Sequence, residues 1–132
     1  MSASVRELIN QDSEVASTLL PALFSIFDQW RLKGREQMTL LGLTNEKTYY
    51  NWKRAPGKAK LTPDLLERAS YLLGIYKALQ ILLPDPVQAD QWLSLQNDNA
   101  LFNGARPIDR LLAGQVLDLA IVRAHLDFER GR

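Results

Sequence analysis

The chain carries few of the side chains that perform catalysis. Cysteine is absent from its 132 residues, and histidine occurs once, at His125. These counts exclude disulfides, thiolate zinc sites, iron–sulfur clusters, cysteine nucleophiles and multi-histidine metal sites. The sequence also has no glycine-rich phosphate loop and no serine with a plausible histidine partner. We therefore expect a protein that is not an enzyme, with no catalytic residue, no metal and no cofactor.

Side chains suited to recognition are concentrated in one segment, EQMTLLGLTNEKTYYNWKR, from Glu36 to Arg54. A short helix is predicted to end at Gly42, which supplies a left-handed stop. Thr44 or Asn45 then caps a second helix that runs to about Arg54. Two short helices joined by a tight glycine turn are typical of a helix-turn-helix.

The second helix of this pair is predicted to be amphipathic, with Tyr49 and Trp52 packing inward. Asparagine can bind adenine through two hydrogen bonds, while lysine and arginine bind guanine edges or phosphates. The candidate DNA-binding residues are Lys47, Thr48, Tyr50, Asn51, Lys53, Arg54 and, in the following loop, Lys58. A helical hairpin with no DNA role would show a similar pattern, so this alternative stays open.

Charge is distributed unevenly along the chain. Residues 31–60 contain eight basic and two acidic residues, a local net charge of +6, whereas the whole chain carries +1. Residues 61–132 contain seven basic and nine acidic residues. A basic segment joined to a slightly acidic remainder favours a small nucleic-acid-binding protein with a second task, although a solvated basic face without a partner remains an alternative.

The hydrophobic periodicity predicts an all-α fold. Apolar residues recur every three or four positions, and no segment alternates as a strand does. Pro21 is expected in the first turn of a helix from about Leu20 to Arg31. Thr62 is expected to cap the longest helix, which continues to about Leu83 and forms the structural spine.

Pro84-Asp85-Pro86 is the predicted boundary between two units. Residues 1–84 would form a helix-turn-helix bundle for DNA binding and dimerisation, and residues 85–132 a small helical C-terminal domain. This domain is predicted to contain a short helix near Val87–Leu95, a polar loop, a helix opened by Pro107 and a last helix near Gln115–Glu129. Because the 41 residues from Trp92 to Arg132 bury little surface alone, this part must pack on the spine helix, a second subunit or a partner.

The N-terminus carries Arg6, Glu7 and Asn10 without an apolar run, and no stretch approaches 18 apolar residues. We therefore expect a cytoplasmic protein with neither a signal peptide nor a membrane partner.

Residues spread over most of the chain resemble the Xre-type antitoxins that share an antitoxin/toxin-binding C-terminal domain and accompany RES-domain toxins. The resemblance lies in Trp30, the Leu-Leu-Gly turn before Tyr-Tyr-x-Trp-Lys, the run Leu72 to Leu79, Trp92-Leu93, Phe102 to Arg106, Gly114, Val122-Arg123, Leu126-Asp127 and Arg130-Gly131. Two positions depart from the family pattern. Lys33 stands where the family has a small capping residue, and Ala105 stands where the family has a second glycine.

The resemblance implies a toxin-binding C-terminal domain and a homodimer that binds operator DNA and represses its own operon. It also implies a RES-domain toxin as partner, an enzyme that destroys NAD and whose active site the antitoxin covers. The positions carried over for toxin binding are Arg106, Arg123, Asp127, Arg130 and Arg132. Two alternatives remain: a stand-alone transcriptional regulator whose C-terminal domain dimerises or senses a ligand, and a structural helical adaptor without a DNA role.

Overall fold

A computed structural model of the chain describes residues 3–131. Within this range all regular secondary structure is helical and there is no strand, which confirms the all-α prediction. The helices are α1 (Ala3–Gln29), α2 (Gly34–Leu41), α3 (Glu46–Arg54), α4 (Pro63–Leu82), α5 (Pro86–Gln91), α6 (Pro107–Leu111) and α7 (Val116–Arg130), with 3₁₀ turns at Pro56–Lys58 and Trp92–Ser94. No helix in the described range is long and apolar enough to cross a membrane.

The helix ends follow the capping residues that the sequence predicted. The Asn45 side chain accepts a hydrogen bond from the backbone N–H of Lys47 at 2.8 Å, and that of Thr62 accepts one from Leu65 at 3.1 Å. Gly42 ends α2 with a φ of 73°, in the left-handed region. Local sequence therefore determines where α2 ends and where α3 and α4 begin.

The predicted start of the first helix is wrong. Helix α1 begins at Ala3, so Pro21 lies inside it, and its 27 residues make it longer than α4 with 20. An interior proline removes one hydrogen bond and costs about 3 kcal/mol. Leu20 and Leu23, both fully buried, offset this cost by about 1.5 to 3 kcal/mol each.

Helix α4 is the structural spine, as predicted. It packs most extensively on α7 and also contacts α1, α2 and α5. Leu72, Ile75 and Ala78 in its middle are fully buried. The C-terminal residues therefore bury their apolar side chains against α4, one of the three supports that the sequence allowed.

Arg68 of α4 is a buried arginine that joins three parts of the chain. Its Nε donates to Asp64 Oδ2 at 2.9 Å. Its two terminal nitrogens donate to the carbonyls of Thr39, Leu40 and Gly114 at 3.4 to 3.5 Å. A side chain at Gly42 would come within 2.8 Å of the guanidinium, so the turn after α2 needs glycine both for its backbone and for this contact.

We predict that Arg68→Ala lowers the free energy of unfolding by about 2 to 4 kcal/mol, because three backbone carbonyls lose a charged donor at a buried site. Chemical denaturation measures this change. Arg35→Ala, at an exposed position of α2, serves as the control and should change stability by less than about 0.5 kcal/mol. Equal stability of the two variants would contradict the role assigned to Arg68.

Candidate functional site

Helices α2 and α3 are held at a fixed angle by a buried polar contact. The hydroxyl of Tyr49 donates to Gln37 Oε1 at 2.7 Å, and Gln37 Nε2 donates to the Leu32 carbonyl at 2.9 Å. The Tyr49 ring also packs edge-on against Phe24 of α1, with centroids 5.8 Å apart. These contacts leave α3 little freedom to rotate, so the direction of its outer face is well defined.

The start of α2 is also fixed without a small capping side chain. The side chain of Lys33 makes no capping hydrogen bond. The carboxylate of Glu36 accepts instead from the Lys33 backbone N–H at 2.8 Å, which is one half of a capping box.

The outer face of α3 opens onto a shallow cleft of about 390 Å³, which we call the α3 cleft. It is lined by Thr48, Asn51, Trp52, Arg54, Ala55 and Lys58. Within it, Arg54 Nη2 donates to Asn51 Oδ1 at 2.7 Å. The Asn51 oxygen retains a second lone pair and its amide two donors, so the side chain keeps the groups that read a base edge.

Four of the predicted DNA-binding residues thus line one surface: Thr48, Asn51, Arg54 and Lys58. Lys47 and Tyr50 are exposed on α3 outside the cleft lining. Lys53 is exposed too, but its ammonium lies over the rings of Phe24 and Tyr49, 5.5 and 5.4 Å from their centroids. Part of the role of Lys53 is therefore to hold α3 against α1.

The inward assignment is confirmed for Tyr49 and only partly correct for Trp52. Tyr49 is 3% exposed, whereas Trp52 is half-buried: it packs on the core and also lines the α3 cleft. Tyr49 is the one buried residue among the nine of α3, so Trp52 lies at the edge of the buried face.

The basic residues of segment 31–60 are all exposed. They are Arg31, Lys33, Arg35, Lys47, Lys53, Arg54, Lys58 and Lys60. A basic segment that was buried or spread around the surface would favour the structural adaptor, and these eight side chains are not buried. The local charge of +6 is therefore carried on the surface around α2 and α3.

Arg123, a predicted toxin contact, lies across α4. Its Nη1 donates to the Ser70 carbonyl at 3.1 Å and to the Ser70 hydroxyl at 3.3 Å. A side chain at Gly74 would collide with the Arg123 guanidinium, so this glycine makes room for the arginine. The contact contributes to the docking of α7 on α4.

Asp127 and Arg130 extend the same surface to the end of α7. Asp127 pairs with Arg123 at 3.4 Å and with Arg130 at 3.7 Å. Arg130 is exposed at the last position of the helix. Arg132 lies outside the described residues. Arg123, Asp127 and Arg130 therefore form one charged row along α7.

Arg106 lies elsewhere, at the start of α6, and lines a different cleft with residues that include Arg31 and Glu36. Its guanidinium donates to both oxygens of Asp109, at 2.8 and 3.3 Å. This hydrogen bonding holds the pKa of Asp109 below its ordinary value. Within the chain the partner of the Arg106 guanidinium is therefore a carboxylate.

The sequence interpretation missed an apolar stripe on the outer side of α7. Leu117 and Phe128 are 68% and 67% exposed, and Ile121 and Ala124 lie between them at helical spacing. The signal was present in the sequence, because positions 117, 121, 124 and 128 repeat every three or four residues.

His125 of α7 lies beside an aromatic side chain. Its ring packs edge-on against Phe102 with centroids 5.9 Å apart. Within residues 3–131 no group of three or more histidine, cysteine or acidic side chains could hold a metal ion.

Comparison with known proteins assigns the helix-turn-helix to a family. Residues 12–74, from α1 to the middle of α4, match the antitoxin Xre-like helix-turn-helix domain. The uncharacterised protein y4oB of Sinorhizobium fredii is 41% identical over 122 residues, which cover 92% of each chain. No solved structure matches the chain. The chain therefore belongs to the family of proteins that carry the antitoxin Xre-like helix-turn-helix domain.

Proposed function

We propose that the protein is the non-enzymatic antitoxin of a type II toxin–antitoxin pair. It neutralises an NAD-degrading RES-domain toxin by blocking the toxin active site, and as a homodimer it represses its own operon by binding operator DNA. The observation that carries the proposal is an antitoxin-type helix-turn-helix in which one cleft gathers Thr48, Asn51, Arg54 and Lys58. Because operator DNA and the toxin would both be cytoplasmic partners, we expect the protein to act in the cytoplasm.

Base recognition is assigned to the α3 cleft. A helix of nine residues is about 13 Å long and fits the major groove of DNA. Asn51 would read adenine through its oxygen and its amide, with Arg54 beside it to hold the amide or to reach a guanine or phosphate. If Arg54 holds the amide, the 2.7 Å contact between Arg54 and Asn51 orients the base-reading group before DNA is bound.

Phosphate contacts are assigned to exposed cations of the helix-turn-helix. Lys58 lines the cleft after α3, while Lys33 and Arg35 lie at the start of α2. Cations of this kind bind the DNA backbone without reading sequence, and each phosphate contact steepens the dependence of affinity on salt.

Toxin binding is assigned to α7 and the residues after it. The apolar stripe of Leu117, Ile121, Ala124 and Phe128 would supply the buried centre of the contact, with Arg130 at its edge. The RES class of the toxin is supported by the resemblance of the segments around Trp92, Phe102 and Arg130. A stand-alone regulator remains the second candidate, and the presence or absence of a RES-domain gene beside this one separates the two.

We predict that Asn51→Ala weakens binding to the operator by about 1 to 3 kcal/mol and leaves binding to random duplex nearly unchanged. Lys58→Ala should instead weaken both and flatten the salt dependence, because it removes a phosphate contact. Fluorescence anisotropy with labelled operator and random duplexes over a range of salt concentrations measures these effects.

Lys77→Ala, an exposed lysine of α4 remote in sequence from the cleft, is the control and should bind as the native chain does. If Asn51→Ala weakens binding to operator and to random DNA by the same factor, Asn51 does not read a base.

We predict that ending the chain after Phe128 leaves operator binding intact and lowers protection against the toxin, because this removes Arg130 and Arg132 while keeping the apolar core. Leu117→Glu should lower protection as well, since it places a carboxylate in the apolar stripe. Co-expression with the toxin of the same operon, scored by growth and cellular NAD, tests both.

Ile81→Glu changes an exposed apolar residue of α4 that lines neither the α3 cleft nor the cleft of Arg106, and it should protect fully. Full protection by both α7 variants would show that toxin binding lies elsewhere.

A further inference from the structure

The cleft that Arg106 lines has the size and the walls of a small-molecule site, and we call it the Arg106 cleft. It lies where the end of α1 and the start of α2 meet α5 and α6, and its volume is about 420 Å³. Trp30, Leu93 and Ile108 line it as buried side chains, and Val87 and Leu95 line it as exposed ones. Sites for small ligands have volumes of about 300 to 1,000 Å³ and mostly apolar walls with a few polar groups.

Four charged side chains line the Arg106 cleft: Arg31, Glu36, Asp90 and Arg106. Three of them are engaged within the chain. Glu36 and Asp90 each accept one hydrogen bond, at 2.8 and 3.2 Å, and Arg106 donates to Asp109. The guanidinium of Arg31 has no hydrogen bond or ion pair among the described residues. Arg31 is therefore the charged group of the cleft with all of its donors free.

The backbone of Arg31 is also unusual. Its φ is 57°, in the left-handed region. The N–H of Arg31 donates to the Asp28 carbonyl and that of Leu32 to the Phe27 carbonyl, both at 3.0 Å, so Arg31 occupies the position after a helix that glycine ordinarily takes. An arginine there is less stable than a glycine, and backbone strain of this kind is concentrated at functional sites.

Trp30 supplies a second donor without a partner. Its indole Nε1 is buried and makes no hydrogen bond among the described residues. Buried donors without an acceptor are rare in folded proteins, because each one costs stability. Trp30 lines the Arg106 cleft, so an acceptor bound at the inner wall of the cleft would supply the missing partner.

The charges of the cleft limit which ligand fits it. An anion would face two carboxylates, and a cation would face two guanidiniums, whereas a ligand that carries both charges can satisfy both. Asp109 and, to a smaller extent, Glu36 raise the pKa of Arg106, so the charge of Glu36 is already partly balanced. Asp90 is then the acid that remains for a ligand cation.

We propose that the Arg106 cleft binds a small zwitterion with an apolar side chain, which is the chemistry of a free apolar α-amino acid. Arg31 binds the ligand carboxylate, and the indole N–H of Trp30 donates to the same group. Asp90 accepts from the ligand ammonium. The apolar side chain of the ligand packs against Val87 and Leu95 and removes them from water.

This inference does not rest on the proposed function. Its tests use the isolated chain without DNA or toxin, so their failure and that of the DNA and toxin experiments are distinguishable.

Isothermal titration calorimetry of the full chain with L-leucine, L-methionine, L-phenylalanine and L-tryptophan tests the ligand class. At least one of the four should bind at one site per chain. The amide of that amino acid lacks the carboxylate, and its N-acetyl derivative lacks the ammonium. Each derivative should bind at least about tenfold more weakly than the parent, because each leaves one charged group of the cleft without its partner.

Variants of the chain test the residues. Arg31→Gly should weaken binding at least about tenfold and fold as stably as the native chain or more so, since glycine suits the left-handed backbone. A thermal melt without ligand verifies this. Asp90→Asn removes the charge but keeps an oxygen for Gln80, and it should weaken binding too. Arg6→Gln, about 35 Å from the end of α1 along the helix, is the matched control and should bind as the native chain does.

Trp30 gives a readout at the site itself, because the chain has three tryptophans. In a ¹H–¹⁵N spectrum its indole N–H signal is identified by its absence from Trp30→Phe. This signal should move downfield as the ligand supplies an acceptor, while that of Trp52, on α3, should stay in place.

The proposal is overturned if none of the four amino acids binds at millimolar concentration, or if the amide or the N-acetyl derivative binds as tightly as its parent. It is equally overturned if Arg31→Gly or Asp90→Asn keeps the native affinity, or if the Trp30 signal does not move at saturation.

Discussion

One buried arginine of α4 bonds the backbone of both the helix-turn-helix and the C-terminal helices. The guanidinium of Arg68 donates to the carbonyls at the end of α2 and to the Gly114 carbonyl between α6 and α7. A guanidinium has five donors in a rigid plane, so it can satisfy carbonyls from separate segments at once. The helix-turn-helix and the C-terminal helices are therefore joined through one side chain of α4.

Arg123 repeats this arrangement from the opposite direction, since it belongs to α7 and donates to the Ser70 carbonyl of α4. Gly74 gives it the room, as Gly42 does for Arg68. In both places an arginine bonds the backbone of another element across a glycine. The division of the chain at residue 84 stays a prediction, but apolar residues on both sides of it pack in one core around α4.

Local signals predicted much of the fold, because caps and turns depend on neighbouring residues. Asn45, Gly42 and Thr62 set helix ends as the sequence indicated. The start of α1 could not be predicted in this way, since burial of Leu20 and Leu23 overrides Pro21. Arg68 was missed for a related reason: its position, three residues after Leu65 and four before Leu72, marks the buried face, but its charge suggested the surface.

The type of a charged residue does not reveal which group its side chain binds, and this limits every functional interpretation of such a residue. A cation can bond its own backbone, a neighbouring carboxylate or a partner, and the residue type is identical in the three cases. Arg123 bonds α4 and Arg106 bonds Asp109, so part of each guanidinium is already bound to a partner within the chain. Apolar side chains such as Leu117 and Phe128, at 68% and 67% exposed, gain from leaving water without competing against such a bond. The free energy of a toxin contact on α7 would therefore come from its apolar stripe, with the charged row providing orientation.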